Sequence, residues 1–469
     1  MGESKRVDIP AERSEKGAKM GIAGFFRVEE ASSTVRREVV AGATTFFTMS
    51  YIIFVQPVVL AGAGMDAGAV MVATCVSSAL ATILMGLLAN YPIALAPAMG
   101  HNFFFAITVC VIMGVPWQTA LAAVFISGGI FILLAFVGLR EKIINAIPSS
   151  LQHAIAAGIG LFIALIGLEW AGLVVRNPGT LIYMGDLSQP PVIVALLGLV
   201  ATLMLLALKV RGALLIGIGV ATAAAIVMGV TSFEGEVFSM PPSIAPTLFK
   251  LDVSAALTLR MVPVIFVFFF LDMFDTVGTL VGVASRAGLM KEGRLPRARR
   301  ALFSDAAGTV TGALLGTSTV TSYIESAAGV NEGGRTGLSN MVTALLFLAA
   351  LFVSPLVALV GQEVPVYGAE GFKSAALHPM VAPALIVVGS MMLKGLAKID
   401  WDDATEYIPA FLAAVIMPFT FSITEGISAG FISYSLMKTV KGRAREAHWI
   451  IHLFAILFVL RYIFLPYRG

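Results

Sequence analysis

Two aspartates stand inside one of the most apolar stretches of this chain, Phe268-Phe269-Phe270-Leu271-Asp272-Met273-Phe274-Asp275-Thr276-Val277-Gly278-Thr279. On a helix, spacings of three and four residues put Asp272, Asp275 and Thr279 on one face. A carboxylate in hydrocarbon costs about 2.5–3.5 kcal/mol even on lenient insertion scales, so two on one turn must face a polar cavity or be paired. Such groups accept N–H hydrogen bonds and exchange protons. The bland alternative is that one of them caps a neighbouring interrupted helix, where the dipole's positive end stabilises the charge.

Glu325, in Ser322-Tyr323-Ile324-Glu325, is a third carboxylate of this kind. It reads as the third helical residue of a capping box with Ser322 as N-cap, and also as a ligand-contacting group at a half-helix N-terminus. The readings are compatible, and ligand contact is favoured because a purely structural cap could use neutral Gln. Pro97-Ala98-Met99-Gly100-His101-Asn102-Phe103-Phe104-Phe105 adds an amide, an imidazole and ring faces. Gly100 permits close backbone approach. Asn102 and one ring, Phe103, are the ligand candidates here, while His101 is either a cavity residue or a satisfied structural histidine. Thr48 is a further hydroxyl candidate, although it and its neighbours Thr44 and Thr45 are of a type that more often bonds helix to helix.

These residues need elements that hold them in a membrane. Of 469 residues, 58% are hydrophobic and 13% charged, against ~25% charged in soluble domains. That excludes an ordinary soluble protein and indicates a polytopic helical one, each crossing using roughly 20 residues. Apolar runs fall near 39–61, 67–89, 92–113, 117–139, 151–175, 190–208 and 212–231, then near 259–284, 301–316, 317–331, 337–361, 378–395, 403–421 and 425–438. The fold class is therefore all-α polytopic membrane protein with 14 crossings, seven plus seven. A further run, 448–465, either lies along the inner interface or crosses once more; its aromatics and Arg461 favour the interface.

Short cytoplasmic loops collect Lys and Arg. The N-terminal tail, 1–38, carries eight of the 31 Lys+Arg, and alternate loops carry Arg140 and Lys142, Lys209 and Arg211, the cluster from Arg286 to Arg300, Arg335, and Lys394 and Lys398. The opposite loops hold only Arg176, Lys250 and Lys373, with Arg260 at the mouth of crossing eight. This places the N-terminus in the cytoplasm.

Crossing three contains Pro92, Pro97 and Gly100, and crossing ten opens on Gly316-Thr317-Ser318-Thr319-Val320-Thr321-Ser322, which reads as strand. Extended backbone at membrane depth is tolerated only where it is buried in protein or lines a polar cavity. Interrupted segments at matching positions of two inverted repeats point to the central site of a secondary transporter. A net charge of +3, with no basic stretch interleaved with stacking aromatics, gives no reason to expect nucleic acid. Cys75 and Cys110 alone supply neither disulfide framework nor metal cluster. No enzyme constellation, cofactor motif or P-loop is present, so transport must run downhill or on an ion gradient. Residues 1–38 lack the apolar core of a cleavable signal, which leaves the first crossing to direct insertion.

Gly42-Ala43-Thr44-Thr45-Phe46-Phe47-Thr48-Met49-Ser50-Tyr51-Ile52-Ile53-Phe54-Val55, Ala96 to Asn102, Asp272 to Thr279 and Glu325 to Leu338 resemble the AzgA-like branch of the nucleobase/ascorbate transporter family, the adenine-guanine-hypoxanthine permeases, and the likeness runs from about residue 22 to 460. The resemblance implies an inverted repeat: a first half at 39–231 (core 39–139, gate 151–231), a linker at 232–258, and a second half at 259–438 (core 259–361, gate 378–438), with a tail at 439–469. It implies proton symport of purine bases by an elevator-like slide in the bacterial inner (plasma) membrane, as a homodimer. Substrate would be held by Gly100, Asn102, Asp272, Asp275 and Glu325, with Thr279, Phe103 and Thr48 as neighbours and the three carboxylates as proton-coupling candidates. Gln56, Ala98, His101 and Phe103 stand where the branch commonly has Asn, Gly, Leu and Ala. The alternatives are a uracil/xanthine permease of the same fold and an anion channel or exchanger of the sulfate-transporter fold; three acidic residues would repel an anion.

Overall fold

The computed structural model describes residues 21–137, 147–177, 179–233, 235–290, 295–365 and 377–464. Residues 1–20, Arg140, Lys142, Lys373 and part of the Arg286–Arg300 cluster lie outside them.

Each apolar run of the sequence holds a helical element. In chain order these are α1 (Val35–Met49), α2 (Tyr51–Ala61), α3 (Ala67–Leu84), strand β1 (Leu95–Pro97), α4 (Met99–Phe103) continuing as a π-helix over Phe104–Ile112, α5 (Trp117–Val137) and α6 (Ser149–Trp170). The hairpin β2 (Val174–Asn177) and β3 (Leu181–Met184) follows, then α7 (Pro190–Ala207) and α8 (Ala213–Val227). The second half contains α9 (Val262–Arg286), α10 (Ala298–Leu315), β4 (Val320–Ser322), α11 (Ser326–Asn331), α12 (Leu338–Ala349), α13 (Ser354–Val360), α14 (Ala382–Met392), α15 (Ala404–Thr420), α16 (Ile423–Val440) and α17 (Trp449–Phe464). Among the described residues seven helical segments are long and apolar enough to cross a membrane, and four shorter apolar ones accompany them.

Helix starts follow side-chain chemistry. Asp66 caps α3 by accepting from the Ala69 N–H at 2.7 Å, and Ser422 caps α16 by accepting from Glu425 N–H at 3.3 Å. Gly316 ends α10 at φ +100°, a left-handed turn that favours glycine, and a Cβ there would collide with Thr247. That turn releases the chain into the extended run. The hairpin at 174–184 is absent from the sequence reading. Its β-branched and aromatic residues pair across a turn in which Asn177 Oδ1 accepts from the N–H groups of Gly179 (2.7 Å) and Thr180 (3.2 Å).

The two interrupted segments meet. β1 pairs antiparallel with β4 in the register Leu95↔Ser322, Ala96↔Thr321, Pro97↔Val320, and the pairing extends through Ala98 N–H to Thr319 O and Tyr323 N–H to Ala94 O, both 2.9 Å. A two-stranded sheet buried among helices has two unpaired edges, and here side chains cover them. Thr82 Oγ1 accepts from Leu95 N–H at 2.9 Å, Thr309 Oγ1 donates to Val320 O at 2.9 Å, and Asn340 Nδ2 donates to Ile93 O at 2.8 Å.

Around the sheet, α1 packs on α11 and α12, α3 on α10 and α12, and α5 on α9 and α10; α6 packs on α14, α15 and α16, and α7 on α8 and α14. Small residues allow these approaches: a Cβ on Gly42 would strike the Ser339 carbonyl, and one on Gly337 would strike Gly86 backbone. The Asn331–Leu338 turn after α11 is held by Glu38 of α1, whose carboxylate accepts from Arg335 N–H (2.9 Å) and Thr336 N–H (3.3 Å).

α17 runs antiparallel along α16. His452 Nδ1 meets Ser435 Oγ at 2.8 Å, Phe454 and Phe458 lie 6.1 and 6.0 Å from Phe431, and Arg461 pairs with Glu425 at 2.7 Å. Those contacts extend from the C-terminal half of α16 to its first turn, so the two helices lie side by side nearly end to end.

Candidate binding site at the crossed strands

The chain at β4 is fixed by a carboxylate that the sequence reading passed over. Asp305 of α10, fully buried, accepts from Ser322 N–H (2.9 Å) and Ser322 Oγ (2.8 Å) through Oδ1 and from Thr276 Oγ1 (2.6 Å) through Oδ2. This overturns the capping-box expectation. Ser322 is the last residue of β4, its hydroxyl and N–H are both spent on Asp305, and helix α11 begins only at Ser326 with Glu325 at its N-cap.

Three residues advance a helix by about 300°, and the structure shows what that does to the aspartate pair. Asp272 faces α10: it is fully buried, with Thr276 Oγ1 and Thr309 Oγ1 each at 3.4 Å. The Thr276 hydroxyl, having one hydrogen, goes to Asp305 at 2.6 Å in preference. Asp275 looks the other way, into a cavity of about 230 Å³ whose wall includes Gly100, His101, His153, Ile159 and Thr279. Its Oδ2 accepts from Thr321 Oγ1 of β4 at 3.2 Å. The pair therefore straddles one edge of α9, with one acid behind the strand and one open in front.

Glu325 is half-buried, and its Oε1 accepts from the Tyr51 hydroxyl at 2.8 Å. Tyr323 donates its hydroxyl to Pro97 O at 2.5 Å. The charges of Glu325 and Asp275 both act on Tyr51 and Tyr323, so these four groups form one electrostatic neighbourhood beside the β1–β4 pair.

Asn102 is fully buried and accepts a hydrogen bond from Ser318, while Gln56 Nε2 reaches Thr317 Oγ1 at 2.9 Å and Ser318 Oγ at 3.3 Å. Among the described residues the Asn102 Nδ2 donor, the Gln56 Oε1 acceptor and His101 Nε2 are buried without a partner. Gly100 lies at the cavity wall, where Ile159 of α6 occupies the space beside its Cα: a Cβ there would sit 2.7 Å from Ile159 Cγ2. Ala98 is the extended residue that leads β1 into α4. Thr48 sends its hydroxyl back to Thr44 O (2.5 Å) and Thr45 O (3.0 Å) within its own helix. Phe103 is fully buried and packs on Phe162 and Trp170, ring centroids 6.4 and 6.2 Å away, rather than on the cavity. The structure thus brings Gly100, Asp275 and Thr279 to one cavity, holds Glu325 on Tyr51 just beyond the end of β4, and leaves Glu325, Asp272, Asn102, Phe103 and Thr48 out of its wall.

Asp305, Tyr51, Ser318 and Gln56 support these groups. The first was signalled by being the one acid in an apolar run, and Tyr51 lies within a sequence segment already singled out. No group of three or more His, Cys, Asp or Glu among the described residues is arranged to hold a metal.

A family-wide sequence pattern described as "Permease family" matches residues 36–429. The guanine/hypoxanthine permease PbuG of Bacillus subtilis is 44% identical over 452 residues, covering 94% of this chain and 99% of its own. The adenine permease AdeP of Escherichia coli is 44% identical over 441 residues, covering 94% and 95%. Among solved structures, the transmembrane domain of the cyanobacterial bicarbonate transporter BicA superposes with a TM-score of 0.59 at 14% identity, covering 84% of this chain and 97% of that one, a likeness of fold. A chain of membrane-length helices built around paired, interrupted segments, and matched along most of its length by these sequences, belongs to the permease family and is a multi-pass membrane transport protein rather than an enzyme.

Proposed function

We propose that this permease imports purine nucleobases of the guanine, hypoxanthine and adenine class together with protons. The observation that carries the reading is that β4 brings two carboxylates together, Asp275 bonded to Thr321 of the strand and Glu325 three residues beyond its end, next to a cavity of base-like size, in a chain whose relatives at 44% identity are named purine permeases. A purine presents ring and exocyclic N–H donors, and carboxylates accept them in charge-assisted bonds roughly twice as strong as neutral ones. Asp272, Asp275 and Glu325 are the proton-coupling candidates. Asn102 contributes its uncommitted Nδ2 when the strand region rearranges, and Phe103 and Thr48 act as supports of the site.

The same reading takes fourteen crossings in two inverted halves, with α1–α5 and α9–α13 as a core that slides against α6–α8 and α14–α16 as a gate, the cavity opening between the inner ends of α6 and α14, and with two chains forming a dimer in the inner membrane, N-termini in the cytoplasm. α17, packed side by side with α16, adds a fifteenth crossing. Accumulation of radiolabelled guanine, hypoxanthine, adenine, xanthine and uracil in cells lacking their own carriers, with and without a protonophore in sodium-free buffer, tests this: the purines lead and the protonophore collapses accumulation. A lead for uracil or xanthine selects the neighbouring substrate class, and sodium dependence without protonophore sensitivity refutes proton coupling.

A further inference from the structure

A second cavity, of about 700 Å³, lies between the outer ends of the same two helix groups, with Met71, Ile107, Trp170, Pro242, Glu363 and His378 in its wall. Its volume is within the ~300–1,000 Å³ usual for small-molecule sites. Two independent chain segments lead from the inner cavity to it. Along α6, His153 and Ile159 line the inner cavity, Phe162 is fully buried, and Trp170 lines the outer cavity. Along crossing three, Gly100 and His101 line the inner one, Phe103 is fully buried, and Ile107 lines the outer one. The rings between them touch: Phe103 with Phe162 at 6.4 Å and with Trp170 at 6.2 Å, and Phe162 with Phe421 at 5.8 Å. An aromatic barrier therefore separates two cavities on one path.

The outer cavity also carries recognition chemistry. The His378 ring lies against the Trp170 indole, centroids 4.6 Å apart. His378 Nδ1 is buried without a partner among the described residues. An imidazole nitrogen without a partner is free to exchange one hydrogen bond with a heterocycle that reaches it. Beside it is an indole face that can stack on a planar ring, and Glu363 adds a carboxylate at the rim.

We infer that this outer cavity is a second binding site for a planar, N–H-bearing heterocycle, a nucleobase held on Trp170 and His378 before the Phe103–Phe162–Trp170 barrier opens toward the inner site. The inference rests on the transport reading above and adds where substrate first docks. It assigns Phe103 to the closed barrier.

The test uses the full chain in lipid nanodiscs with Trp170 as its only tryptophan (W117F, W401F, W449F), hypoxanthine as titrant and Trp170 emission as readout, alongside hypoxanthine uptake by the unsubstituted protein in cells. The expected result is saturable quenching that persists when E325Q is added, and a midpoint raised about tenfold by H378A, the loss of one hydrogen bond with some stacking, with H378N restoring part of it. Quenching abolished by E325Q, an unshifted midpoint in H378A, or no quenching overturns the outer site. Uptake failing while the quenching behaves as expected refutes the transport reading and leaves the outer site standing.

Discussion

Substituting Gly100 by alanine perturbs one contact between the two helix groups. The new Cβ would stand 2.7 Å from Ile159 Cγ2, 3.7 Å from its Cδ1 and 3.9 Å from its Cβ, against an optimum near 3.5–4.0 Å for two carbons. Cγ2 sits on a β-branched carbon whose χ1 strongly prefers one rotamer in a helix, so it gives way only at a rotamer cost or by a shift of α6, and the overlap of roughly 1 Å costs about 1–3 kcal/mol. Only the arrangement in which Gly100 abuts Ile159 carries that cost. G100A is therefore expected to depopulate the arrangement in which these residues touch by roughly 5- to 150-fold and to lower the initial rate of hypoxanthine uptake by a comparable factor at unchanged membrane abundance. I159A removes Cγ2, so the G100A/I159A double variant should recover most of the rate, a coupling that a double-mutant cycle measures. Normal uptake by G100A, or no recovery in the double variant despite normal insertion, would refute the reasoning.

Y51F removes the hydroxyl that holds Glu325 Oε1 at 2.8 Å; losing one bond to a charged acceptor should weaken hypoxanthine binding about tenfold, read by equilibrium binding, with folding unaltered by circular dichroism. Where the start of α15 meets the end of α16, hydrogen bonds from Thr405 N–H and Arg443 hold the Asp403 carboxyl below its usual range, and bonds from Arg443 and Lys438 do the same for Glu446. Because both carboxyls titrate lower when folded, their contribution is complete above the unfolded value near pH 4 and lost as pH falls through the folded values. Thermal stability in detergent should accordingly drop below about pH 4, and R443A should flatten that drop; an identical profile in R443A would show that the Asp403–Arg443–Glu446 ion pairs do not stabilise the fold. The antiparallel α16–α17 packing predicts an extracytoplasmic C-terminus, so a reporter active only outside should work when fused after Gly469, whereas a cytoplasmic readout would return α17 to the interface.

Sequence chemistry made part of this legible. Pro97 and the 316–322 run announced extended backbone, because proline and runs of small and β-branched residues weaken a helix. Their mutual pairing was not readable, since nothing local fixes a register between residues more than two hundred apart. The separation of Asp272 from Asp275 depends on the rotation of α9 about its axis, which is set by the packing of α10 rather than by residue type. The direction of Phe103 is likewise set by packing, on Phe162 and Trp170 of α6, rather than by residue type. Asp305 showed only as an isolated acid in an apolar run, and its role in clamping β4 needed the partners Ser322 and Thr276 in space.

The central claim, that carboxylates at the crossed strands bind a purine, is tested most directly by equilibrium binding of radiolabelled guanine and hypoxanthine to purified protein with D275N and E325Q each introduced alone. Each change replaces a charged acceptor with a neutral amide of the same shape, and the account predicts binding to the inner site weakened by at least about tenfold in both variants, with thermal stability retained. Wild-type affinity in both variants would contradict it.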